Sequence, residues 1–234
     1  MVGTMLRFAL RLAAPLALLA TPAAAFAQDL ATISVEVVQE TPATDPGGER
    51  FVAEGRGDVA GLRAIASFGP FRVIDAGRAA LVEATDSATP RAFAQMLIAF
   101  PALRTIEMVE CPGTSDDTAN LRLGRMIRRA GLDTYVPQGG SVRSGAVELF
   151  LAGKHRRAES GAQFAVHSWQ DSDGFEPSDV AENDPVNLAY LAYYREMGLS
   201  EGQAHAFYAM TNAVPHEEAL WLSVAEFAQY APFD

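Results

Sequence analysis

SVRSGAVELFLAG, residues 141–153, turns from small polar residues into an apolar run that closes on Ala152-Gly153. The near-continuous apolar character of Ala146–Ala152 reads as a buried helix. Ser144 stands immediately before Gly145, where that helix opens. Two chemistries fit this address. A serine N-cap accepts a hydrogen bond from a free helix N–H. A nucleophile uses the same turn differently, because the next residue's N–H can hold a developing oxyanion. Gly145 and Ala146 leave room for a carbonyl to approach. On these local signals alone the cap is the stronger reading, and Ser141 reads as a loop serine.

Working outward, VECPGTSDD (109–117) ends a strand in Pro112-Gly113 and enters a helix start. Backbone N–H groups and a positive dipole end suit an anion there. An ordinary tight turn explains the same residues. Downstream, GAQFAVHSW (161–169) ends a short apolar run in His167. That is a place for a buried, hydrogen-bonded imidazole or for a general base.

The flanking pattern is α/β. FRVIDAGRAALVEA (71–84) predicts a strand pair around Asp75-Ala76-Gly77, and SATPRAFAQMLIAF (87–100) a helix closed by Pro101. RTIEMVEC (104–111) reads as a strand. Residues 112–132 supply a helix started by Ser115 and two aspartates and stopped at Gly131, with Leu121, Met126 and Ile127 on its apolar face. DTYVP is a further strand, KHRRAESGAQFAVHSW (154–169) a hairpin-like pair, residues 180–213 are helical, and a capped helix begins near Ser223. Alternation of this kind places helices around a largely parallel sheet.

Residues 1–27 have the three parts of a secretory leader: Arg7 and Arg11, the apolar Leu12–Leu19, and Ala25-Phe26-Ala27 before Gln28. The apolar stretch is short and broken by Pro15 and Pro22, which favours cleavage over a spanning anchor. The leader carries two arginines and no acid, so its removal takes the net charge from −11 to −13. That charge excludes nucleic acid and anionic lipid as partners. The expected location is periplasmic or secreted. With one cysteine, Cys111, no internal disulfide can form; a buried small hydrophobe is its commoner role, a reactive thiol the other. His155, His167, His205 and His216 fall in no zinc spacing, and no cofactor motif is present. The expected division is a leader (1–27), a lead-in segment (28–69) that includes the proline- and glycine-rich ETPATDPGGER (40–50), and an α/β domain (70–234).

The joint order of a Pro-Gly strand end, a serine opening an apolar helix, and a histidine after a strand resembles the Clp protease proteolytic subunit family, and more closely its small secreted relatives. The family's S-P-G-G stands here as Cys111-Pro112-Gly113-Thr114. Its nucleophile motif, S-A-C or S-M-G followed by an apolar helix to A-G, stands as Ser144-Gly145-Ala146 through Ala152-Gly153 with equal spacing. Its histidine matches His167, and its L-S-x-x-E helix start matches Leu222, Ser223 and Glu226 in PHEEALWLSVAEFAQY (215–230). The match spans about residues 70–230.

The resemblance implies a ClpP/crotonase-like α/β fold, with a mostly parallel sheet, ββα-type units and peripheral helices. It implies Ser144 as nucleophile, His167 as base and an acid at Glu218, with Glu217, Asp171 and Asn212 as competitors. The oxyanion donors would be Gly145 with Gly113 or Thr114. It also implies a peptide or other acyl substrate, no cofactor and a homo-oligomer. Two departures stand out. Thr114 replaces a glycine, a strained choice if that position needs positive φ. Val142 and Ala146 occupy positions where secreted relatives often carry cysteines. Loss of chemistry, leaving a binding or assembly module, is the alternative. Crotonase-type acyl-CoA chemistry comes last, because export removes the substrate and leaves Ser144 unexplained. Glu148, at i+4 from Ser144, is expected to be a buried acid paired with Arg143 or another arginine. Trp169, Trp221, Tyr190, Tyr193, Tyr194 and Phe207 are expected in core or groove.

Overall fold

The computed structural model describes residues 50–52, 57, 59 and 61–233. The leader pattern and most of the lead-in lie outside them. In chain order the elements are β1 (Arg50–Phe51), β2 (Ala66–Phe68), β3 (Phe71–Val73), β4 (Arg78–Leu81), α1 (Thr89–Ala99), β5 (Thr105–Met108), β6 (Glu110–Cys111), β7 (Gly113–Thr114) and α2 (Asp117–Arg129). Then come β8 (Asp133–Val136), β9 (Ser141–Arg143), α3 (Ala146–Leu151), β10 (Arg156–Ala158), β11 (Gln163–Val166), α4 (Pro185–Glu196), α5 (Glu201–Thr211), β12 (Leu220–Ser223) and α6 (Val224–Phe227). β1 and β2 fall within the stretch expected as lead-in.

Local chemistry sets the helix ends. Asp116, not Ser115, caps α2 by accepting from Ala119 N–H, and Arg128 and Arg129 sit at its C-terminal dipole end. Gly131 follows at φ +66°, a left-handed stop. Residues 180–213 form two helices: α4 opens on Pro185 behind the Asp184 cap, the chain reverses at Gly198 (φ +97°), and a Ser200/Gln203 capping box starts α5. Ser223 and Glu226 form the same device at α6.

Six strands pair in the order β10-β8-β5-β4-β3-β2, and four in the order β12-β11-β9-β6. The pairs β10·β8, β8·β5, β5·β4, β11·β9 and β9·β6 are parallel. β2, β3 and β12 enter antiparallel at the edges. The fold is thus a mixed α/β architecture with mostly parallel strands and peripheral helices. One expectation is corrected. β10 and β11 do not form a hairpin, because Gly161 (φ +91°) carries the chain from the edge of one sheet into the interior of the other.

The core that fixes the site lies around α3. All six of its residues are buried. Phe150 meets Phe164, Phe227 and Phe233 edge-on at 5.2, 5.9 and 5.4 Å, and Phe164 stacks on Phe227 at 4.0 Å. Trp169, Tyr190, Tyr193, Tyr194 and Phe207 are buried core residues, while Trp221 is half-buried on β12. Among the described residues no helix is long and apolar enough to cross a membrane.

Candidate active site

Strand β9 delivers Ser144 to a sharp turn before α3. Ser144 has φ +49°, the one positive φ among the described non-glycine residues. Such a conformation costs about 1–3 kcal/mol and persists only where surrounding contacts hold it. Here Ser144 N–H donates to Ala165 O (2.7 Å), and Ser144 O accepts from Val147 N–H (3.0 Å). The side chain does not cap the helix: the N-cap position is Gly145, with no side-chain cap bond. Ser144 Oγ instead lies 2.5 Å from His167 Nε2. Ser141, expected in a loop, is a buried β9 residue that accepts from Arg143 Nη1 (2.6 Å).

His167 follows β11, the parallel neighbour of β9, so adjacent strand ends set the two side chains side by side. Both residues are fully buried. Burial, then electrostatic opposition from Arg50 and His216, push the His167 pKa down to about 3 from 6.5, against the carbonyls of His216 and Ser168. The imidazole is therefore neutral at neutral pH, the form that can accept a proton. Protons bind the unfolded chain more tightly between these values. This group's contribution accordingly makes stability fall as pH drops from about 6.5 towards 3, and leaves it unaffected above 6.5. We expect the acid limb of any Ser144-dependent rate to lie below pH 6.5. A pH profile centred on an ordinary histidine value would contradict the burial argument.

The third place is filled otherwise than the resemblance implies. Glu218 is exposed, and its N–H donates to Pro215 O. Glu217 is exposed as well. Asp171 Oδ1 accepts from Asp173 and Phe175 N–H in its own loop. Asn212 accepts from Trp169 N–H and donates to Tyr208 O. None of the four bonds His167, and Nδ1 has no hydrogen-bond partner among the described residues. The His216 ring packs against His167, with centroids 4.6 Å apart, itself anchored by its Nδ1 on Ser168 O (3.1 Å). The loops 170–184 and 212–219 bring His216 here, and no spacing rule singles it out.

Gly113 lies at φ +128°, a conformation that suits glycine, whereas Thr114 needs no positive φ and carries no such strain. Thr114 Oγ1 donates to the carbonyls of Thr85 and Asp116, which ties the β7 loop to α2. The loop touches the serine turn directly. A Cβ on Gly145 would fall 2.7 Å from Thr114 Cγ2, and Asn120 Nδ2 donates to Gly145 O (2.6 Å). Gly145→Ala should cost about 1–3 kcal/mol by overpacking this junction, read in a denaturant melt. A neutral result would show that Thr114 moves aside freely.

Glu148 is fully buried and pairs with Arg50 (2.9 Å); Arg143 turns instead to Glu110 and to Val52 O. Arg50 Nη2 also donates to His167 O (3.2 Å), and its guanidinium lies 5.4 Å from the Tyr190 ring centroid. Tyr194 donates to Glu148 Oε1 (2.8 Å), and Tyr190 to Asp117 Oδ2 (2.6 Å). Burial raises the Asp117 pKa to about 8, partly opposed by Arg50 and by the Tyr190 bond. Cys111 is a buried thiol whose Sγ donates to Leu81 O, and burial pushes its pKa up. A groove of about 600 Å³ between Gln163, Trp221 and Ala228 lies at the opposite end of β11 from His167. Among the described residues no group of His, Cys, Asp and Glu converges to hold a metal ion.

No protein-family model matches the chain, and no curated protein matches it. Among solved structures it is similar to the 1510-N membrane-bound stomatin-specific protease with a substrate peptide. The identity is 13%, coverage is 66% of this chain and 71% of that one, and the TM-score is 0.46. It is also similar to ClpP1 from Listeria monocytogenes, at 16% identity, 68% and 90% coverage and a TM-score of 0.47.

Proposed function

We propose that the chain is an exported serine hydrolase of Clp-protease-like type that cleaves a peptide or another acyl bond. The carrying observation is the Ser144 Oγ–His167 Nε2 contact at 2.5 Å on a strained strand-to-helix turn. Ser144 Oγ attacks the carbonyl carbon while its proton passes to Nε2. The C–N or C–O bond then breaks, and the leaving group takes that proton. Water, deprotonated by the same nitrogen, releases the acyl group and restores the serine. Gly145 N–H and the Gly113-Thr114 backbone are the candidate oxyanion donors. The leader pattern in residues 1–27 supports export, and the resemblance supports a homo-oligomer. Turnover of an activated ester and of a fluorogenic peptide amide by wild type, absent in a folded Ser144→Ala variant, tests the reading. Equal turnover by both proteins would overturn it.

The absence of a carboxylate at His167 Nδ1 among the described residues favours a second reading, a binding module that keeps the fold without turnover. It predicts substrate-like peptides bound and never cleaved.

A further inference from the structure

Residues 50–52 reach the site from far upstream. β1 pairs antiparallel with β7, Arg50 opposite Thr114 and Phe51 opposite Gly113. Val52 N–H donates to Pro112 O (2.8 Å), and Arg143 Nε donates to Val52 O (2.8 Å). Hydrogen-bonded pairs alternate along an antiparallel ladder, so the Val52/Pro112 bond sets Arg50 and Thr114 as the next such pair. The Thr114 N–H, a candidate oxyanion donor, thus faces the Arg50 carbonyl. The Arg50 side chain drops into a buried recess of Asp117, Glu148, Tyr190 and Tyr194, with Nη2 on the carbonyl of His167 itself.

We propose that this recess is a recognition pocket for a basic side chain of a peptide substrate, and that residues 50–52 fill it as an internal occupant. The proposal rests on the hydrolase reading and names its substrate class. Three observations carry it. An extended segment added to an exposed strand is how a peptide is gripped by its backbone, and β1 is such an addition to the strand bearing the oxyanion candidates. The recess holds the buried Glu148 carboxylate, ion-paired with Arg50 at 2.9 Å, beside the buried Asp117 carboxyl, so the occupant it accepts is a cation. Arg50 also fills it incompletely: Glu148 Oε2, Asp117 Oδ1 and Arg50 Nε have no hydrogen-bond partner among the described residues, although all three side chains are buried. A guanidinium entering from a free peptide is not tied to the β1 register and can reach both Glu148 Oε2 and Asp117 Oδ1. Ser144, His167 and Thr114 are all buried, and residues 50–52 hold the β7 edge and the His167 carbonyl, so a peptide that pairs with β7 must displace them.

The test uses the full chain carrying Arg50→Ala. Fluorogenic tripeptide amides ending in arginine and in leucine are compared by kcat/KM, and Ser144 labelling by a fluorophosphonate is measured on the same sample. The expected result is faster labelling than wild type and a preference for arginine of about tenfold or more, the worth of a charged hydrogen bond in a buried site. Adding Glu148→Gln should bring the ratio towards one. Equal turnover of both peptides with Ser144 still labelled overturns the pocket and leaves the hydrolase standing. If Ser144 is not labelled, the hydrolase reading fails and calorimetry decides the pocket: tighter binding of the arginine peptide supports it, equal binding overturns it. Should Arg50→Ala not fold, Arg50→Gln, which keeps a polar chain but removes the charge paired with Glu148, is read in the same way.

Discussion

Replacing His167 with alanine should slow turnover and Ser144 acylation by about a hundredfold to ten-thousandfold, the usual worth of a positioned general base. The serine hydroxyl is a weak nucleophile without a base, and Nε2 at 2.5 Å is the hydrogen-bond partner of Ser144 Oγ among the described residues. Ser144→Ala combined with His167→Ala should lose little more than either change alone, because the two groups act as one unit. Additive losses would show that they act separately. His216→Ala should have a smaller effect, felt through the orientation of the ring it packs against. Its signature is a raised acid limb, since one of the groups opposing protonation of His167 is removed.

The largest expected effect on stability is that of Phe150→Ala, about 3–5 kcal/mol in chemical denaturation. Phe150 is fully buried and makes edge contacts with Phe164, Phe227 and Phe233. α3 is six residues long, too short to be stable without such packing, and its N-terminus carries the serine turn. The cavity should therefore loosen the Ser144–His167 geometry as well as lower the melting midpoint. A Phe150→Ala protein of wild-type stability would show that α3 is held by its polar contacts, chiefly Tyr193 on Glu148 O (2.7 Å), rather than by this aromatic cluster.

Much of the site's frame was legible in the residues themselves. An apolar run behind Ser144-Gly145 has few folded meanings, and a strand ending in Pro112-Gly113 or in His167 places each group at a sheet end. Ser144 was ambiguous because a cap and a nucleophile need the same turn; the positive φ and the Oγ direction that separate them are tertiary. Glu148 was expected to find an arginine, yet its partner lies 98 residues upstream, in a segment with no apolar period to mark it. The same distance hid β1. The acid was misjudged for a related reason. Glu218 sits exposed in a loop whose backbone path, not its spacing, decides what meets His167, and from that loop it is the His216 ring that packs on His167. β10 and β11 read as a hairpin because Ser160-Gly161 stands as a turn between two short runs; pairing partners belong to the sheets and are absent from the local pattern.

The most direct test of the Ser144–His167 pair is fluorophosphonate labelling of the full chain, followed by intact-mass measurement and peptide mapping. A single adduct on Ser144 is expected in wild type, formed faster in Arg50→Ala and lost in His167→Ala. No adduct on Ser144 in either the folded wild type or folded Arg50→Ala, or an adduct undiminished by His167→Ala, would contradict it.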